Sequence, residues 1–289
     1  MDSYFTGREL TRPYTSGLYK KDLSFDEMKN LNSQITEDEK GSLFAKYYYE
    51  PMAELQLQMK AAVKAGALKP EQMYMPPQAG PILQSGSKGY PLNGYGVLEN
   101  GVGYASMVIH QDGITDEMIR NYRDNFAVSL DPKIRTLFYK TWFPGKHLIH
   151  FEDAIIEDFG WGFVLQDMDW DVYHMEKHLG LKMEEIPKND PHCIAITGLG
   201  GKCISLENPS DRTYTCMVQY IRETENGRDL CIHYWNGVKL SQDGSIEVCP
   251  NVPKAEMEKR MCNMMQHAMY ETCNELKHIK EFWEETHKI

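Results

Sequence analysis

The pattern of apolar and polar positions divides the chain into three textures. Up to about residue 85 the chain reads as helical. Ser24-Phe-Asp-Glu27 and Thr36-Glu-Asp-Glu39 each match a capping box, in which a hydroxyl and a carboxylate bond reciprocally to free backbone N–H groups at a helix start. Met52–Ala67 is rich in good helix formers and closes at Gly66, which predicts a helix. Between Met75 and Gly96 stand four prolines and five glycines among aromatic residues. That punctuation predicts an ordered crossing into the second texture.

From Gly94 onward the pattern is that of strands and tight turns. Glu99-Asn-Gly101 lies between β-rich runs and predicts a hairpin within Gly94–His110. Thr115–Phe126 reads as a helix with Thr115 as its N-cap. Strands are expected at Ile134–Trp142, His147–Phe151, Phe159–Gln166, His192–Thr197 and Lys202–Leu206. Thr213–Ile221 and Asp229–Trp235 should pair through Glu225-Asn-Gly227, and a short hairpin should turn at Asp243-Gly244. The third texture is a single long helix from about Pro253 to Lys288. Met257, Met261, Met264, Met265, Ala268, Leu276, Ile279 and Trp283 define its buried stripe, and His278 and His287 fall at its solvated end.

Helices, then a largely antiparallel sheet, then one long helix predict an α+β fold. A small N-terminal helical domain over residues 1–85 would precede a larger domain over residues 86–289. There a curved sheet wrapped on the C-terminal helix encloses a cavity.

Composition narrows the partners. A net charge of −11 argues against nucleic acid and anionic membrane. No apolar run is long enough to span a bilayer, and MDSYFTGREL lacks the basic start and apolar core of a signal peptide, so a cytoplasmic location is expected. Seven cysteines, an odd number without a CxxC pair, fit buried free thiols rather than a disulfide frame. Seventeen Met, 17 Tyr and 5 Trp suit an adaptable apolar cavity, or simply a core.

Candidate chemistry begins on the last helix. At about 100° per residue, His267 and Glu271 share one edge of the buried stripe, close enough to bind one metal ion. Taken alone, such a pair is more often a helix-supporting ion pair. A second cluster, His147-Leu-Ile-His150-Phe-Glu152-Asp153-Ala-Ile-Ile-Glu157-Asp158, offers N and O donors of the kind catalytic zinc prefers. Alone, it reads as surface charge around a strand. Gly198-Leu-Gly-Gly201 lacks a following helix and a Lys-Ser/Thr signature, so a hairpin turn is expected rather than a phosphate loop. His110, His192 and His233 fall in strands and are expected to be packed and hydrogen-bonded.

Several segments in order carry a resemblance. They are Gly89-Tyr-Pro-Leu-Asn-Gly-Tyr-Gly96, Gly113-Ile-Thr-Asp-Glu-Met118, Phe138-Tyr-Lys-Thr-Trp142 with Pro144 and His147, Tyr220-Ile-Arg-Glu-Thr-Glu-Asn-Gly227 leading to Tyr234-Trp-Asn-Gly237, and His267-Ala-Met-Tyr-Glu271-Thr-Cys-Asn-Glu-Leu276. In this order the chain resembles the 2,4-diacetylphloroglucinol hydrolase and phloretin hydrolase family over most of residues 85–285. The resemblance implies a Bet v1-like helix-grip domain and zinc-dependent hydrolysis of the carbon–carbon bond between an acyl group and a phenol ring. It implies two His and two Glu as zinc ligands. His267 and Glu271 match the terminal HxxxE, and Glu157 is the better match for the second Glu, with Glu152 as competitor. The family's other histidine is absent from Phe126-Ala-Val-Ser129-Leu-Asp131, and Met217-Val-Gln219-Tyr220 also lacks a histidine that the resemblance implies. His147 or His150 would be the replacement imidazole.

The expected function is therefore a metal-assisted carbon–carbon hydrolase acting on a small hydrophobic or phenolic ketone. His147 is the candidate general acid–base residue, and Tyr139, Tyr220 and Tyr234 are candidates for orienting the phenol. A non-hydrolytic binder, or an isomerase of phenolic or polycyclic ketones, is the alternative on the same fold. A homodimer is compatible with the sequence.

Overall fold

A computed structural model describes residues 27, 30, 33–79, 93–122, 124–125, 132–150, 154–159, 163–169, 193–205, 212–241 and 243–287. The capping box at Ser24, the crossing at 80–92 and the segment 126–131 lie outside the described residues.

Among the described residues the leading part includes the short helices α1 (Glu37–Lys40), α2 (Ala45–Tyr49) and α3 (Leu57–Ala65). The capping box of α1 forms as its sequence predicts. Glu39 N–H donates to Thr36 Oγ1 at 3.2 Å, and Thr36 N–H donates to a Glu39 carboxylate oxygen at 2.7 Å. Strands β1 (Gly94–Val97) and β2 (Gly103–His110) follow, then α4 (Asp116–Tyr122) and α5 (Pro132–Trp142). Thr115 caps α4 through a bond from Met118 N–H to its hydroxyl at 3.2 Å. Next come β3 (His147–His150), β4 (Ala154–Asp158), β5 (Phe163–Asp169), β6 (Cys193–Ser205), β7 (Arg212–Thr224), β8 (Gly227–Asn236), β9 (Val238–Leu240) and β10 (Ile246–Val248). Helix α6 (Lys254–Thr286) closes the chain.

Eight strands form one antiparallel sheet in the order β1-β2-β8-β7-β6-β5-β4-β3, and β9 pairs with β10. The fold is thus mixed α+β, an antiparallel sheet with a long C-terminal helix. The three predicted hairpins are present. Gly101 and Gly244 adopt φ of +86° and +89° in two of them, and Thr224 pairs with Gly227 across the third.

Successive strand residues alternate between two apolar sides. Ala105, Met107, Ile109, Ile232 and Tyr234 face a core shared with Met257, Met261, Met265 and Leu276 of α6. Tyr104, Val108, Cys216, Val218 and Trp235 face a second core. Tyr47 and Met59 of the leading helices belong to the same core as α6. Gly103 lets helix and sheet approach, because a Cβ there would lie 2.7 Å from Met257 Sδ and Met261 Cγ.

Four expectations are corrected. Ile134–Trp142 is helix, not strand. Its aromatic and β-branched residues, Ile134, Thr136, Phe138, Tyr139, Thr141 and Trp142, favour strand locally, but the segment is amphipathic at helical period, and Pro132 opens the helix where a missing N–H costs nothing. Gly198-Leu-Gly-Gly201 is no turn: β6 runs straight through it, with Gly198 opposite Val218 and Gly201 opposite Thr215. The strand expected at Phe159–Gln166 is displaced, since Ala154–Asp158 and Phe163–Asp169 are the strands. His278 is fully buried rather than solvated, its ring centroid 4.6 Å from that of Tyr47.

Among the described residues no helix is long and apolar enough to cross a membrane.

Candidate metal centre

The site is assembled where the end of α5, the β3–β4 hairpin and the middle of α6 meet. A tight turn over Phe143–Lys146, with Gly145 at φ +76°, reverses the chain from α5 into β3. Lys146 and His147 N–H both donate to Phe143 O, at 3.0 and 2.9 Å. His147 thereby opens β3 directly opposite Glu157 of β4. Directly opposed residues of an antiparallel pair have Cβ atoms about 4.5–5.5 Å apart, so the pairing alone brings imidazole to carboxylate. On α6, His267 and Glu271 stand one turn apart and face the same point.

The four side chains converge. His267 Nε2 lies 2.9 Å from Glu157 Oε2, and His147 Nε2 lies 3.3 Å from the same oxygen. Glu271 Oε2 lies 3.0 Å from His147 Nε2 and 3.8 Å from His267 Nε2. The two Nε2 atoms are 2.9 Å apart. All four donor atoms fall within 4.8 Å of one another. Tetrahedral bonds of ~2.0–2.2 Å place neighbouring donors roughly 3.3–3.6 Å apart, which the observed contacts bracket. His147, Glu157, His267 and Glu271 form a cluster that can hold a metal ion.

The protons point the same way. His147 Nδ1 lies 2.8 Å from the carbonyl oxygen of Tyr139, which can only accept. The Nδ1–H tautomer is thereby fixed, and a neutral His147 presents a bare Nε2 lone pair to the cluster, as a ligand must. Tyr139 O is available because it lies in the last turn of α5, where carbonyls have no helical partner. Two further carbonyls of that turn, Thr141 O and Trp142 O, accept from Asn274 Nδ2 at 2.9 and 3.2 Å. Asn274 Oδ1 in turn accepts from Ala53 N–H at 3.0 Å, tying the leading segment to α6 one turn beyond Glu271.

Without a metal, the charges must be balanced by protons. Burial opposes a charge on His147, but hydrogen bonds and charges from Glu157 and Glu271 prevail and raise its pKa to about 9. Burial opposes ionisation of Glu157 as well, and His147 and His267 overcome it, holding the carboxyl well below its usual range. Two carboxylates, a backbone-fixed imidazole and a second imidazole gathered in a buried space are a cation's donor set.

Of the expected phenol-orienting residues, Tyr139 lies at the cluster. Its ring stacks on His147 with centroids 3.9 Å apart and planes 11° apart. Burial, then the charges of Glu157 and Glu271, raise its phenol well above 10. Tyr220 stacks its ring on His233 in the second core, centroids 5.6 Å apart, and also contributes to the wall of the cavity between α6 and β7–β8. Tyr234 packs in the core beneath α6. His233 is packed and hydrogen-bonded, with Nδ1 2.7 Å from the Tyr74 hydroxyl, and burial and then Arg222 lower its pKa to about 3. His110 is half exposed and pairs with Asp229 at 2.6 Å.

A cavity of about 270 Å³ adjoins the cluster between α6 and the β7–β8 hairpin. Glu271, Thr272 and Glu275 of α6 line it, facing Gln219 and Ile232, and Trp142 of α5 forms another wall. The Trp142 indole N–H is buried with no acceptor among the described residues. Trp142, Gln219 and Glu275 escaped the sequence reading as site residues, because a wall between helix and sheet has no local pattern. Compared with known proteins, the chain matches no family model and no curated sequence.

Proposed function

We propose that the protein is a metal-dependent hydrolase that cleaves the carbon–carbon bond between an acyl group and a phenolic ring, on a Bet v1-like helix-grip domain. The observation that carries this reading is the buried donor set His147, Glu157, His267 and Glu271 beside a cavity. Its mixture of N and O donors suits zinc. A zinc ion held there would polarise the acyl carbonyl and lower the pKa of water. The antiparallel sheet with its long C-terminal helix is compatible with the helix-grip assignment.

The residues divide the remaining work. With Nδ1 committed to Tyr139 O and Nε2 facing the other donors, His147 has no nitrogen left for proton transfer. We therefore assign it as the second imidazole ligand, in place of the histidine missing from 126–131. Glu271, at the cavity wall, takes the proton from the attacking water. Oxygen adds to the acyl carbon, the carbon–carbon bond breaks, and its electron pair goes to the ring carbon, which takes up a proton. A carboxylic acid and a phenol leave. Trp142 forms part of the cavity wall against which the phenol ring packs.

One feature favours a second reading, a ligand-binding protein without turnover: four protein donors are what a structural zinc site takes, leaving no open position. Incubation with acylphloroglucinols and phloretin separates the two. Release of the free phenol and acid in equal amounts, lost in Glu157→Gln, supports hydrolysis. Tight uptake with no product after long incubation rejects it.

A further inference from the structure

The four donors are not equivalent, and the difference bears on how a substrate could reach a metal that four side chains already surround. The side chains of His147, Glu157 and His267 are 0, 3 and 6% exposed, whereas that of Glu271 is 26% exposed. Of the four, Glu271 is the one that lines the cavity. It reaches His147 Nε2 at 3.0 Å but stands 3.8 Å from His267 Nε2, while Glu157 touches both imidazoles within 3.3 Å. His147 is held by the Tyr139 carbonyl and by Tyr139's stacked ring. Phe143 and Phe159 pack on His267, each with its ring centroid 4.8 Å away. Three donors are therefore fixed by packing, and one has room on its far side.

We infer that Glu271 is the displaceable donor. Substrate approaches from the cavity, on Glu271's side. The carboxylate swings about its side-chain torsions into that space, which opens one coordination position and sets Glu271 beside it as a base. Withdrawal of one donor converts a closed four-donor set into the three-ligand arrangement with an open position that catalytic zinc sites use. It removes the objection that a full shell raises against turnover. The inference rests on the metal reading above and extends it to the direction of approach and the moving part.

The test is Co2+ binding followed by visible absorption, a reporter of coordination, with wild type, Glu271→Ala, Glu271→Gln and Glu157→Gln, each checked for folding by circular dichroism. Wild type should bind one Co2+ per chain. Glu271→Ala and Glu271→Gln should still bind one Co2+, weakened by no more than an outer-shell partner usually costs, about 10–100-fold. Their spectrum should be altered, and in Glu271→Ala added acetate should restore the wild-type bands by entering the vacated position. Glu157→Gln should lose far more affinity. If Glu271→Ala and Glu157→Gln weaken binding equally, Glu271 is a fixed ligand and the inference is overturned. An unchanged affinity and spectrum in Glu271→Ala also overturns it, since Glu271 would then be no ligand. A folded wild type that binds no Co2+ at all sinks the metal reading itself, a distinguishable outcome.

Discussion

His147 illustrates how a single residue is committed by its surroundings. Tyr139 O accepts a hydrogen bond from its Nδ1–H, Tyr139's ring covers one face, and two carboxylates face its Nε2. In the metal-free protein its pKa is raised from 6.5 to about 9 by Glu157 and Glu271 acting against burial. A folded-state pKa above the unfolded one adds stability that is complete below the unfolded pKa and disappears as pH rises through the folded one. Chelated protein should therefore lose stability between pH 6.5 and 9, by something of order 3 kcal/mol. Thermal denaturation in chelator across that range checks this, and His147→Gln should flatten the profile. His267 and Glu271 were legible in the sequence because i, i+4 spacing on an amphipathic helix is a local signal. Glu157 stood in the sequence as one of several donors in the cluster from His147 to Asp158, and the resemblance singled it out. His147 appeared there as one of two imidazoles, and choosing between them needed the structure, because its role depends on strand register and on where another helix ends.

At the scale of elements, the end of α5 governs the site. Its terminal carbonyls hold His147 and Asn274, so the helix acts as a clamp between β3 and α6. Asn274→Ala leaves Thr141 O, Trp142 O and Ala53 N–H without their side-chain partner. That should cost about 1–3 kcal/mol and, by loosening the turn that carries Tyr139 O, weaken metal binding by about 10-fold. Urea denaturation and metal titration of the same variant measure both. Gly103→Ala should cost about 1–3 kcal/mol by overpacking against Met257 and Met261, read as a lower urea midpoint with metal affinity unchanged. The sequence concealed α5 because its aromatic and β-branched residues carry strand propensity, while the helical period of Pro132–Trp142 decides the structure. It concealed the length of β6 for a related reason. Gly198, Gly200 and Gly201 resemble a turn locally, and pairing along β7 overrides that signal.

At the scale of the molecule, the order of elements was readable: leading helices, hairpins of an antiparallel sheet, then a long helix. Turn chemistry at Gly101, Gly227 and Gly244 and the methionine stripe of α6 are short-range features, and all appear in the structure. What required the fold was convergence. Residues 147, 157, 267 and 271 are brought within 4.8 Å from three separate elements, and a cavity wall is shared by α5, β7, β8 and α6. A metal bound there joins the helix to the β3–β4 hairpin, so it should stabilise the whole fold. At a free metal concentration about 1,000 times Kd, the gain is about 4 kcal/mol, visible as a rise in Tm that chelation reverses.

The central claim is that these four side chains are one metal site, and elemental analysis of the purified protein tests it most directly. One zinc per chain is expected in wild type, falling to a small fraction in folded Glu157→Gln and His267→Ala. Wild-type protein that holds no stoichiometric zinc, and whose Tm does not move when zinc is added, would contradict it.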